Sequence, residues 1–293
     1  MGTDKIFASK NGAENKPKVI HYHRNFFSDH GNNSYQNFKY VFESWQLIVL
    51  LIRRDIALRA RRSLLGYVWV VFPQFLMVLP LLFLSQRNIV SFGDTEIPFL
   101  FHALWGMSCW QLFSSILIGS MTSLANAGSL IGKVNFPKEV LVIASIGGPS
   151  FDFLLRLAPL LLLFSVNNFL VSWMVVFLPV IILLITLMAL SLGFYLSVFK
   201  LLFSDITNAV SIFLTFAIFL CPVFYPPFTD GVYSFVNYVI PFNGLLIVTQ
   251  DLIVGQGISL PGAFLSAIIF TLINLFLGVR FFQVSMPFVA ARV

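Results

Sequence analysis

Asp152 and Arg156 are the two side chains of this 293-residue chain whose types and spacing come closest to chemistry. They stand four apart inside a long apolar run, so a helix would put them one turn apart and let them pair. A carboxylate and a guanidinium in hydrocarbon could line a pathway or serve catalysis. They could equally neutralise each other and do no more than hold helices together. Nothing nearby completes a catalytic constellation. The stretch Gly128-Ser129-Leu130-Ile131-Gly132-Lys133 falls one residue short of a phosphate-binding loop, and Val134 stands where that loop needs a hydroxyl. No acid pair, Cys/His cluster or nucleophile elbow is legible. His21 and His23 could ligate a metal, but a pair in a polar arm is expected to be solvated. Cys109 and Cys221 both sit in apolar runs, where a packing role is expected.

Positioning such residues requires helices in a membrane. The chain is 58% hydrophobic and only 10% charged, with a mean hydropathy of +0.89. That is too little charge to cover a soluble domain of this size. Six apolar runs approach the ~20 residues that span a bilayer: Gly66–Gln86, Phe99–Leu124, Val140–Val166, Trp173–Phe199, Thr207–Tyr225 and Ala263–Phe282. Between Pro226 and Gly262 the chain is too apolar for an open loop and too interrupted to span. Two short outer helices, Tyr233–Val239 and Leu245–Val254, reconcile the two facts. The expected fold is therefore an all-α membrane protein of six transmembrane helices, with two short outer helices before the last span.

Residues 1–44 are polar, without apolar period or signal peptide, and are expected to form a flexible cytoplasmic arm before a membrane domain over 45–293. Next, Arg53 to Arg62 packs six charges into ten residues. Trp45, Ile48, Ile52, Ile56 and Ala60 recur on one side at helical spacing, which predicts an amphipathic helix on the membrane surface. Asp55 is placed to pair with Arg59 one turn on. With the N-terminus inside, sixteen of the eighteen Lys and Arg residues fall on the cytoplasmic side, which predicts N-in and C-in. The net charge of +6 thus reflects membrane orientation, and no nucleic-acid partner is expected.

Arg53-Arg54-Asp55 followed by Ser63-Leu64-Leu65-Gly66-Tyr67-Val68-Trp69 and Pro73 resembles the first-span motif of type-2 ABC exporter permeases, the polysaccharide branch above all. Asn126 through Lys133, Phe136-Pro137 and Glu139 are similar to that family's first cytoplasmic loop. Asp205 stands at the family's turn before the fifth span. Cys221-Pro222-Val223-Phe224-Tyr225 matches the pattern that closes that span. The resemblance covers about Trp45 to Phe288 and implies that the two short outer helices are re-entrant and form the exit gate.

It implies a homodimer in the bacterial inner membrane, bound to two copies of a cytoplasmic ABC ATPase and exporting lipid-linked polysaccharide, most naturally an O-antigen glycan. No cofactor is expected on this chain, ATP and Mg being held by the partner ATPase. Arg53, Arg54, Asp55, Lys133, Phe136, Pro137, Glu139 and Asp205 are then the candidates for coupling to that ATPase. Asp205 could instead simply cap the helix after it. Tyr67, Trp69, Phe72 and Phe75 in the first span, with Phe213, Phe216, Phe219 and Tyr225 in the fifth, are candidates for the conduit, because aromatic faces stack on sugar rings. Most individual Phe residues are expected simply to pack or face lipid. The rival readings are a teichoic-acid or capsule exporter, a small-molecule or drug exporter of the same class, and a membrane-embedded glycan or lipid-assembly enzyme.

Overall fold

The computed structural model describes residues 44–61, 67–87, 98–127, 137–166, 172–227 and 232–290, and every described regular element is helical. The elements are α1 (Trp45–Arg61), α2 (Val68–Gln86), α3 (Phe99–Asn126), α4 (Glu139–Ala144), α5 (Gly147–Val166), α6 (Leu178–Leu202), α7 (Ile206–Ala217), α8 (Val236–Val239), α9 (Pro241–Val254) and α10 (Pro261–Ala290). A 3-10 turn over Trp173–Phe177 leads into α6, another over Ile218–Leu220 ends α7, and a third over Val232–Phe235 opens α8.

Four apolar stretches are long enough to cross a membrane: Val68–Gln86, Glu139–Val166, Trp173–Leu202 and Pro261–Phe288. These make the chain a multi-pass helical membrane protein. The other two expected spans depart from a simple apolar rod. Helix α3 has ample length at 28 residues but carries Ser, Thr, Gln and His throughout. It can do so because protein, not lipid, surrounds it. The run expected over Thr207–Tyr225 is helical for only 12 residues before the 3-10 turn, and Cys221–Tyr225 is a turn rather than a helix end. Pro222 explains the stop, since it has no N–H to continue the ladder.

Helix α3 is the axis. It packs along α6 and also against α2, α4, α5, α7 and α9, while α10 lies on α6 and α9. In lipid, apolar helices gain nothing by avoiding water, so close backbone approach drives their association. The sequence supplies small residues at these crossings. A Cβ on Gly193 of α6 would collide with Ser120 of α3, and one on Gly278 of α10 would lie 2.7 Å from the Ser191 carbonyl of α6. A Cβ on Gly244 of α9 would lie 2.6 Å from the Ala263 backbone. One buried cluster centres on Trp105, Phe113, Leu245 and Ile185; a second joins Ile48 and Leu51 of α1 to Val140, Phe194 and Phe282.

Candidate functional site

The surface helix forms as expected, over Trp45–Arg61. Ile48 and Leu51 are buried, while Trp45 is 63% exposed. Helix α1 rests on α4 and α5, and Ile52 fills the place that a Cβ on Gly147 would occupy. Asp55 pairs with its neighbour Arg54 at 3.1 Å; the side chain of Arg59, its expected partner one turn on, lies outside the described residues. Arg53 and Arg54 are exposed.

Of the first-loop candidates, Lys133 and Phe136 lie outside the described residues, as do the motif residues Ser63–Gly66, the histidine pair and the N-terminal arm. Pro137 is buried at the loop's end, and α4 opens at Glu139, whose carboxylate suits a helix start. Burial pushes the Lys138 ammonium below the ordinary lysine range, and the adjacent Glu139 draws it back up. Asp205 sits at the position before α7 but makes no side-chain cap, so the capping reading does not hold. Its carboxylate accepts from Ser204 Oγ at 3.1 Å, and Lys200 Nζ donates to the Ser204 carbonyl at 2.7 Å, tying the turn from the preceding helix.

The aromatic candidates divide. Trp69 and Phe72 of α2, with Phe213, Phe216 and Phe219 of α7 and its 3-10 turn, are all more than two-fifths exposed. Tyr67 meets Phe151 edge-on at 5.5 Å, and Trp69 meets Phe72 at 6.0 Å. Phe75 packs half-buried against the core, and Tyr225 donates to the Phe219 carbonyl at 3.1 Å, bracing the turn after α7. So α2 and α7 each present an aromatic face that no described part of the chain covers.

Asp152 and Arg156 are both buried on α5, at 6% exposure each. Arg156 Nε donates to the Val70 carbonyl of α2 at 3.2 Å. One turn further along α2, Gln74 is 1% exposed and accepts from Ser108 Oγ at 3.3 Å. A polar seam thus ties α2 to α3 and α5.

The residues that sequence reasoning missed lie between α3 and α9. Trp105 Nε1 donates to Thr249 Oγ1 at 2.8 Å. Gln250 Nε2 lies 3.3 Å from His102 Nε2 and donates to the Pro222 carbonyl at 3.2 Å. Asn243 Nδ2 donates to the Leu220 carbonyl at 3.4 Å. Helix α9 begins at Pro241, four residues ahead of expectation, because proline's fixed φ suits the first helical position. It is buried along most of its length. Asp251 then accepts from both the backbone N–H and the hydroxyl of Ser259, each at 2.8 Å, and fixes the turn into α10. The only sequence signal for this network was the density of amides and hydroxyls inside otherwise apolar runs.

Architecture and site together define a polytopic helical membrane protein with a basic surface helix at one end and uncovered aromatic faces along its flank. Over 184 residues it is 30% identical to the O-antigen export system permease protein RfbA of Myxococcus xanthus, covering 61% of this chain and 68% of that protein. Two Klebsiella pneumoniae proteins of the same description match at 23% and 22% identity over 212 residues, 71% of this chain and 78% of each. No protein-family model matches. The chain belongs to the polysaccharide-exporter permeases of the ABC type-2 class.

Proposed function

We propose that this chain is the membrane subunit that moves a lipid-linked O-antigen-type polysaccharide from the cytoplasm across the bacterial inner membrane. The observation that carries it is the relationship to export permeases over most of the chain. ATP and Mg then belong to a separate cytoplasmic ATPase, bound in two copies, and this subunit holds no cofactor of its own. Six crossings with both termini inside agree with the distribution of Lys and Arg, with α3 and α7 supplying the crossings that composition alone leaves weak. Helices α8 and α9 then act as the outer gate.

A second copy is required because one bundle is too narrow to enclose a glycan. The uncovered aromatic faces of α2 and α7 are the natural conduit walls, with ring faces sliding over sugars regardless of hydroxyl stereochemistry. Asp152 and Arg156 neutralise each other and, with the Val70 carbonyl, hold α2 in place. A chemical role for them, as in an assembly enzyme, finds no support in their burial against helix backbone.

Phe136, an apolar knob beside the rigid Pro137, anchors the ATPase together with Arg53, Arg54, Asp55, Lys133, Glu139 and Asp205. Losing such an anchor costs about 2 kcal/mol or more, over tenfold in binding. Phe136→Ala should therefore leave the permease folded while co-purified ATPase falls about tenfold and glycan accumulates inside the cell. Wild-type export and ATPase recovery in that variant would overturn the coupling assignment. Export by the permease without any ATPase would overturn the whole reading.

A further inference from the structure

Beneath α1, where it meets α3, α4 and α5, lies a cavity of about 270 Å3. Arg54 and Asp55 stand on it from α1, with side chains 51% and 41% exposed. Thr122, Ser123 and Asn126 line it from α3, and Ser145 from the turn after α4. The hydroxyls have a shared property. Thr122 Oγ1 donates to the Ile118 carbonyl at 2.9 Å, Ser123 Oγ to Ser120 at 2.7 Å, and Ser145 Oγ to Val142 at 2.7 Å. Thr122 and Ser123 therefore direct their protons to their own helix and have only lone pairs left to offer, whereas Ser145 Oγ also meets Ser120 Oγ at 2.9 Å. With the Asp55 carboxylate, the Thr122 and Ser123 hydroxyls make a wall of acceptors, beside the cationic fork of Arg54 and the Asn126 amide.

Such a wall complements a compact cation with several N–H donors, and the fork complements a phosphate. Helix α1 also exposes large apolar side chains around its surface, with Trp45 and Leu50 63% exposed and Leu58 45% exposed, interleaved with the exposed Arg53 and Arg54. That mixture suits the boundary between head groups and acyl chains, where the cavity would meet a lipid head group.

We propose that this cavity binds the head group of phosphatidylethanolamine, one lipid per chain. The ammonium enters among Asp55, Thr122 and Ser123, and the phosphate rests on Arg54. The Arg54–Asp55 pair is exchanged for two ion pairs with a zwitterion, so the site's net charge does not change. Phosphatidylcholine has no N–H to offer the acceptors. Phosphatidylglycerol has no cation for Asp55 and brings an uncompensated negative charge beside it. The site is independent of the cargo; because Arg54 and Asp55 also belong to the proposed ATPase contact, the head group bound there is one of the cytoplasmic leaflet.

The test uses the full chain purified in mild detergent and equilibrated with equimolar phosphatidylethanolamine, phosphatidylglycerol and phosphatidylcholine. Retained lipid is then counted by native mass spectrometry. Phosphatidylethanolamine should be enriched at one per chain. Asp55→Asn should cut that enrichment about tenfold, a charge-assisted contact being lost. Asp55→Glu should keep most of it. Thr122→Val has nearly the same shape but lacks the acceptor, and should reduce the enrichment severalfold, even if Asp55→Asn fails to fold. Equal retention of the three lipids would mean ordinary boundary lipid only and would overturn the proposal. So would a preference for phosphatidylglycerol, or enrichment that survives both Asp55→Asn and Thr122→Val.

Discussion

Helices α2 and α3 lie side by side and follow opposite rules. On α2 Gln74 and Val78 are buried, while Val68, Trp69, Phe72, Leu76, Leu79 and Phe83 face outward. On α3 seventeen residues are buried, among them His102, Ser108 and Ser120. In water the more apolar helix would be the inner one. In a bilayer the surroundings of a helix are already apolar, so burial is decided by what lipid cannot satisfy, namely polar side chains and close backbone contacts. The contrast teaches that the polar content of α3 marks it as the interior of the bundle, while the apolar surface of α2 is free to serve lipid, a second copy or cargo.

The largest effect should come from the interior backbone contacts. Gly244→Val on α9 drives a branched side chain into the Ala263 backbone of α10, which neither helix can move without opening the bundle. The expected loss is about 3 kcal/mol, read as collapse of the monodisperse peak or a large fall in Tm in detergent. Wild-type Tm in that variant would break the picture of a close-packed centre.

Slightly smaller effects follow for the buried seam. Asp152→Asn, leaving Arg156 charged, should lower stability by about 2–3 kcal/mol. The double change Asp152→Asn with Arg156→Gln should recover much of it with transport retained. A stable Asp152→Asn variant that no longer transports would instead favour a role in the pathway.

Next come the interhelical hydrogen bonds. Thr249→Val removes the acceptor for Trp105 Nε1 and should cost about 1 kcal/mol. A double-mutant cycle with Trp105→Phe should give a coupling of about 0.6 kcal/mol, as for hydrogen bonds between helices in membranes generally.

The smallest stability change belongs to the outer face. Trp69→Ala and Phe213→Ala should shift stability by no more than about 0.5 kcal/mol, since neither ring is buried. They should nonetheless impair glycan export more than alanine at exposed positions such as Leu161 or Leu272 on other helices. Equal export in both sets would remove the functional half of the contrast.

The helical content and the membrane setting were legible in composition, because hydrocarbon admits backbone only as helices or closed barrels. The surface helix was legible in its charge pattern, and the motifs around Trp69 and Pro137 carried the family. Its buried face was not legible: periodicity locates a stripe but cannot tell whether lipid or α4 covers it, and only the fold seats Ile48 and Leu51 against the bundle.

The candidate site was legible as residue types and not as an arrangement. Aromatics in the first and fifth runs could be named, but only the fold leaves those on α2 and α7 uncovered, save the partly buried Phe75 and Tyr225. The network of His102, Trp105, Thr249 and Gln250 joins residues about 145 positions apart, and no local period encodes such a meeting. Sequence by itself determined what each segment can tolerate, lipid or interface or water, because transfer free energy is a property of side chains. Tertiary structure decided which helix became the axis and which polar groups found partners. Those outcomes depend on close contacts, such as Gly193 on Ser120, that exist only once two distant segments touch.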